Sequence, residues 1–148
     1  MASTDQKTFR CELIGPTGKL LDCRTSSVVF PAHDGQVGVL YDHMPMLSQL
    51  GLGVVRVEPS PEGGPAGSEP AGARLFFVDG GFALVAENSV TVIAYDAMAL
   101  QDATCETIRS MIERTEKSLG DPVLSPAQQA HENERLGALR RILESIRT

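Results

Sequence analysis

The feature that most limits the fold of this chain is a change of hydrophobic period near Ala97. Before that point apolar residues recur at every second position; after it they recur at every third or fourth. Such a chain needs a β domain followed by a helical one. In Phe9-Arg10-Cys11-Glu12-Leu13 apolar side chains alternate with charged ones, as a strand with one wet face requires. Gly15-Pro16-Thr17-Gly18 breaks the alternation as a turn, and Ser26 to Phe30 and Gly53 to Val57 carry β-branched residues between Gly and Pro punctuation. Leu75 to Val78, then Asp79-Gly80-Gly81, then Phe82 to Val85 reads as a tight hairpin, because glycine supplies the positive φ such turns demand. Glu87-Asn88-Ser89 turns the chain again, into Val90 to Ala94. Closely spaced short strands with no helix between them predict an antiparallel β-sandwich over residues 1–96. Within it, residues 58–73 are rich in Gly, Pro, Ser and Ala and read as a flexible loop. Its prolines do not fall in a PxxP frame, which argues against a Pro-rich ligand.

Residues 97–148 predict an antiparallel two-helix hairpin. Ile108, Met111, Ile112, Thr115 and Leu119 share one helical face, with Glu113 and Lys117 an i,i+4 pair outside it. Gly120-Asp121-Pro122 stops the first helix. Ser125-Pro126-Ala127-Gln128 starts the second with a capping box, and Leu136, Leu139, Leu143 and Ile146 continue it as an apolar seam.

Charge and composition exclude some functions. The net charge is −6, Trp is absent, and only two Tyr and five Phe are present, so the chain lacks both the basic surface and the stacking rings of a nucleic-acid binder. Cys11, Cys23 and Cys105 are odd in number and form no CxxC pair, which argues against a disulfide framework or zinc knuckle and fits a reducing, intracellular compartment. The first residues contain no apolar signal core, and no run approaches the ~20 apolar residues of a membrane span, so no direct membrane insertion is expected. Residues 1–96 hold six Lys/Arg against eleven Asp/Glu, and residues 97–148 seven against eight. Arg135, Arg140, Arg141 and Arg147 face only Glu144 near the end of the chain, which reads either as a solvated helix C-terminus or as a contact for an acidic partner.

The stretch Ala32 to His43 carries two His-Asp pairs, His33-Asp34 and Asp42-His43, around Gly35 and Gly38. A metal site needs three or four side chains converging at ~2 Å from the ion, whereas adjacent strand residues point to opposite faces. A small free-standing metal-binding β protein using His33, Asp34 and His43 is therefore the alternative reading, and an exposed loop anchored at both ends is the favoured one. No G-x-S-x-G or P-loop is present, no Cys has a neighbouring His, and His131 reads as solvated; no catalytic residue and no cofactor are expected.

Three motifs in order resemble the epsilon subunit of F-type ATP synthases over nearly the whole chain. Gly35-x-x-Gly38-x-Leu40-x-x-His43-x-Pro45-x-Leu47 is similar to that family's G-E-x-G-x-L-P-G-H-A-P-L segment. Phe76 to Phe82 is similar to F-x-V-S-G-G-F, and Val90 to Ala94 to V-T-V-L-A. The resemblance implies an N-terminal β-sandwich, a C-terminal helix pair and a non-catalytic rotor-stalk role at the cytoplasmic face of a bacterial membrane. The implied partners are the gamma subunit, the c-ring and, transiently, the alpha and beta catalytic subunits. By position Asp34, Gln36, Tyr41, Asp42 and His43 are the implied c-ring contacts, with Gln36 standing where the family usually has an acid. Arg135, Arg140 and Arg141 are the implied residues of an arm that hinders ATP hydrolysis. The family's ATP-binding D-E-x-R-A pattern is replaced by Thr104-Cys105-Glu106-Thr107-Ile108, so no ATP site is expected.

Overall fold

The computed structural model describes residues 7–59 and 72–147. Most of the loop expected over 58–73 lies outside the described residues. The chain divides into two compact units, residues 1–101 and 102–148.

The first unit contains β1 (Phe9–Gly15), β2 (Gly18–Ala32), β3 (Gly35–Val39), β4 (Met46–Pro59), β5 (Arg74–Ala86), β6 (Ser89–Ala94) and β7 (Ala97–Ala99), followed by a 3-10 turn at Leu100–Asp102. Two layers emerge because β2, β4 and β5 are long enough to serve in both. The first half of β2 lies with β1, β6, the second half of β5 and the start of β4. The second half of β2 lies with β3, the rest of β4, the first half of β5 and β7. Between the layers sit Phe9, Cys11, Leu13, Leu21, Val28, Phe30, Val55, Val57, Phe76, Val78, Val85, Val90 and Val92, an aliphatic core with few rings.

The ladders differ from the sequence reading in three respects. First, β1 pairs with β6 in parallel, Cys11 opposite Val90 and Leu13 opposite Val92, although the other ladders are antiparallel. No hairpin joins β1 to β6; they meet because β1–β6–β5–β4–β2–β1 closes into a ring. Second, Asp79-Gly80-Gly81 is not a hairpin turn. β5 runs straight through it, paired along its whole length with β4 from Arg74 opposite Val57 to Val85 opposite Met46. Gly80 (φ 80°) and Gly81 (φ 131°) use their conformational freedom for a bulge, where the Asp79 N–H donates to the Asp96 carbonyl and the Tyr95 N–H to the Gly80 carbonyl. Third, Ala97–Ala99 is a strand opposite Phe76–Val78, so the β unit extends beyond the boundary at residue 96. The turn at Glu87-Asn88 is as expected, both residues in left-handed conformation (φ 50° and 56°).

β2 changes layer at Thr25, whose side chain is buried. Its hydroxyl lies within hydrogen-bonding distance of the Glu58 and Ser27 carbonyls, which share its single proton, and it accepts from the Ser27 N–H, so it satisfies the backbone where the ladder register shifts. On the outer face of β1 and β2 a charge network forms. The Arg10 guanidinium grips Asp22 through two bonds of 3.0 and 2.8 Å, and Lys19 reaches Asp22 at 3.1 Å and Glu12 at 2.9 Å. Arg10, then Lys19, holds the Asp22 carboxyl far below the usual carboxylate range.

The second unit consists of α1 (Cys105–Leu119) and α2 (Pro126–Arg147), in contact with each other. Thr104 caps α1 by accepting from the Thr107 N–H at 3.1 Å, and Gly120 ends it with its N–H directed to the last carbonyls. The expected capping box is present: the Gln128 N–H donates to the Ser125 hydroxyl at 3.2 Å and the Ser125 N–H to Gln128 Oε1 at 2.9 Å. Ile108, Ile112 and Thr115 are the buried residues of α1. In α2 the buried set is Leu136, Ala138, Leu139 and Ile142, with Leu143 half-buried, so the seam passes through Ile142 rather than Leu143.

Candidate functional site

The motif-bearing stretch builds two exposed ends around β3. His33 and Asp34 form the tight turn from β2 into β3, entered through Gly35 in a left-handed conformation (φ 140°) and tied down by the His33 N–H to the Gln49 carbonyl at 3.3 Å. Gln36 follows, exposed and opposite Pro31. Tyr41, Asp42 and His43 lie beyond the far end of β3. Asp42 is left-handed (φ 65°) and its N–H donates to Asn88 Oδ1 at 2.8 Å, so the Glu87-Asn88 turn anchors this loop. The His43 N–H closes a turn on the Leu40 carbonyl at 3.2 Å, and Nδ1 lies 2.7 Å from the Met44 carbonyl, so the ring donates to it. Lys7 stands 5.8 Å from the centre of the Tyr41 ring, a cation–π contact.

The five residues Asp34, Gln36, Tyr41, Asp42 and His43 are thus not gathered into one cluster. The β3 strand between them spans roughly 13 Å at ~3.3 Å per residue. The same separation keeps the two His-Asp pairs apart. Among the described residues, no three His, Cys, Asp or Glu side chains come together to hold a metal ion.

A second surface was not singled out in the sequence. On the outer face of the β4·β5·β6 ladders, Leu47 stands opposite Leu84 and Phe82 opposite Ile93. Tyr95 packs edge-on against Phe82 at 6.1 Å. These five side chains are between 44% and 70% exposed, a contiguous apolar strip on a face where water-facing strands ordinarily place polar groups. The alternation that revealed the strands also contained this signal: both parities of Phe82-Ala83-Leu84-Val85 are apolar, so the strand has no wet face.

In the helical unit Arg140 and Arg141 are exposed and Arg135 is half-buried. Arg140 lies 3.6 Å from Glu116 across the hairpin, an exposed pair of small energetic weight. Among the described residues no helix is long and apolar enough to cross a membrane.

The family model for the β-sandwich domain of the ATP synthase delta/epsilon chain matches residues 8–100, from the start of β1 to the end of β7. This chain belongs to the ATP synthase delta/epsilon family. It is 32% identical over 110 residues to the ATP synthase epsilon chain of Jannaschia sp. (strain CCS1), covering 74% of this chain and 76% of that one. The epsilon chain of Latilactobacillus sakei is 27% identical over 136 residues, 92% of this chain and 86% of its relative, so the likeness extends into the helical unit. Among solved structures, a chain in the mitochondrial ATP synthase of Euglena gracilis, in a structure of OSCP, F1 and c-ring, superposes with a TM-score of 0.66 at 19% identity, covering 96% of this chain and 82% of that one. A chain from the central stalk and c-ring of the Tetrahymena thermophila enzyme gives 0.61 at 14% identity, covering 93% and 95%. The fold is a β-sandwich followed by two helices, the sandwich being that of the ATP synthase delta/epsilon chain.

Proposed function

We propose that this delta/epsilon-family chain is a non-catalytic rotor-stalk subunit, peripheral to the cytoplasmic face of a bacterial membrane, that passes rotation of a c-ring to a gamma subunit. The observation that carries the reading is the family match from β1 to β7, joined to a scaffold whose His33-Asp34 turn and Tyr41–His43 loop are held in place by hydrogen bonds from their backbone N–H groups. Asp34 and Gln36 at one end of β3, and Tyr41, Asp42 and His43 at the other, offer polar contacts to the ring. Gln36 in place of the usual acid removes the negative charge from that contact and leaves a hydrogen bond where the acid would make an ion pair with a cation. The apolar strip of Leu47, Phe82, Leu84, Ile93 and Tyr95 suits the gamma subunit, because a permanent partner shields apolar area that a lone subunit would leave in water.

The helical pair is proposed as a brake on ATP hydrolysis, with Arg135, Arg140 and Arg141 meeting acidic segments of the catalytic subunits. Arg140 would exchange its weak pairing with Glu116 for such a partner. ATP hydrolysis by a catalytic head, reconstituted with the full chain and with one ending at Gln101, tests this. Faster hydrolysis with the shorter chain is expected, as is faster hydrolysis when the three arginines are reversed to glutamate. Unchanged rates in both, with gamma binding retained, would remove the brake; loss of gamma binding by the full chain itself would remove the stalk role.

A further inference from the structure

Cys11 and Cys23 stand directly opposite each other in the β1·β2 ladder. Their inward neighbours in the same register, Phe9 opposite Thr25 and Leu13 opposite Leu21, are buried, so both thiols are on the core-facing side. Directly opposed residues of an antiparallel pair have Cα atoms ~4.5–5.5 Å apart and Cβ atoms ~4.5–5.5 Å apart. A disulfide accepts Cα separations of ~4.4–6.8 Å and Cβ separations of ~3.5–4.5 Å, so closure requires a shift of about an ångström or less. Cys11 is fully buried while Cys23 is half-buried, which gives the pair one reachable sulfur and one shielded sulfur behind it. Cys105, in the first turn of α1, belongs to the other unit.

We propose that Cys11 and Cys23 are a cross-strand dithiol that a low-molecular-weight disulfide oxidises to a disulfide bond, pinning β1 to β2. The Cys23 thiolate attacks the small disulfide, breaking its S–S bond, forming a mixed disulfide and expelling one small thiolate, which takes up the proton that Cys23 lost. The Cys11 thiolate then attacks the Cys23 sulfur and expels the second small thiolate, which takes up the Cys11 proton. Two protein thiols are oxidised and one small disulfide is reduced to two thiols. Burial, with the neighbouring Cys23 charge second, pushes the Cys11 thiol up to about 12, and burial also raises Cys23 against the opposing influence of Arg74. Thiolate is therefore scarce in both, and the exchange is slow.

The test uses the full-length folded chain with Cys105→Ser, incubated with oxidised glutathione, quenched in acid, alkylated and digested with trypsin. Cleavage after Arg10, Lys19 and Arg24 places the two cysteines on separate peptides, residues 11–19 and 20–24. The expected result is a disulfide-linked pair of these peptides, an intact mass lower by two hydrogen atoms, and reversal by dithiothreitol. A Cys11→Ala chain, which keeps an apolar group in the core, should stop at a glutathione adduct on Cys23. Alkylation of both cysteines after oxidant treatment of the folded chain would overturn the proposal. So would a glutathione adduct that persists on Cys23 while Cys11 is present.

Discussion

At the scale of single residues, space and charge rather than hydrophobicity decide which positions are irreplaceable. A Cβ added at Gly81 would lie 2.0 Å from the Ile93 carbonyl oxygen and 2.8 Å from Ala94 Cα, both backbone atoms of the paired strand, and Gly81 is also left-handed. Gly81→Ala is therefore expected to destabilise the β unit by about 2 kcal/mol or more, measurable by urea denaturation; Gly18→Ala, equally left-handed but with nothing near its added carbon, should cost only about 1 kcal/mol. Asp22 offers a pH test. Its folded-state pKa is depressed, first by Arg10 and then by Lys19, so the unfolded chain takes up the proton more readily and acidification favours unfolding. The network's contribution is present above the unfolded carboxylate pKa of about 4 and is lost as pH falls below it. An Asp22→Asn chain should thus be less stable than the parent near pH 7 in low salt, and the deficit should shrink steadily as the pH is lowered from about 4 towards about 2, as melting curves across that range would reveal. The sequence displayed these charges but not their convergence, because Arg10 and Glu12 of β1 meet Lys19 and Asp22 of β2 only through the register of the two strands.

At the scale of elements, the sequence patterns were most informative where a local rule has one outcome and least where it has two. Ser125 with Gln128 and the Glu87-Asn88 turn both follow from local chemistry, and each is where the pattern placed it. Asp79-Gly80-Gly81 obeys the same chemistry yet is a bulge in one long strand, since positive φ serves a bend as well as a reversal and only β4, paired alongside, distinguishes them. The short β7 was hidden for a related reason: Ala97, Met98 and Ala99 suit a helix start equally well, and pairing with Phe76–Val78 decides the matter. A chain ending at Asp96 should accordingly be less stable than one ending at Gln101, by roughly 2 kcal/mol for the lost ladder bonds and apolar cover. Equal denaturant midpoints for the two fragments would refute that role for β7. The residues proposed to meet the ring were legible as an exposed loop from Gly35 and Pro45, whereas their division between two ends of β3 depends on that strand being extended.

For the whole molecule, the apolar strip and the ring of ladders matter more than any one site. Leu84→Ser with Ile93→Ser changes exposed positions, so the fold should persist, as judged by an unchanged circular dichroism spectrum, while affinity for the gamma subunit should fall at least about tenfold, or ~1.4 kcal/mol. Undiminished binding in a pull-down titration would place the gamma contact elsewhere. The closed circuit β1–β6–β5–β4–β2–β1 has a mechanical meaning. An open sheet pulled at one flank unzips a single strand at a time, its bonds failing in sequence. In a closed circuit a tangential push delivered to β2, to which the flanking strand β3 is paired, finds no free flank among the five strands of the ring, and neighbouring ladders are loaded together in shear. Such a body twists little before it turns, which is the property that the proposed coupling role between a ring and a shaft requires.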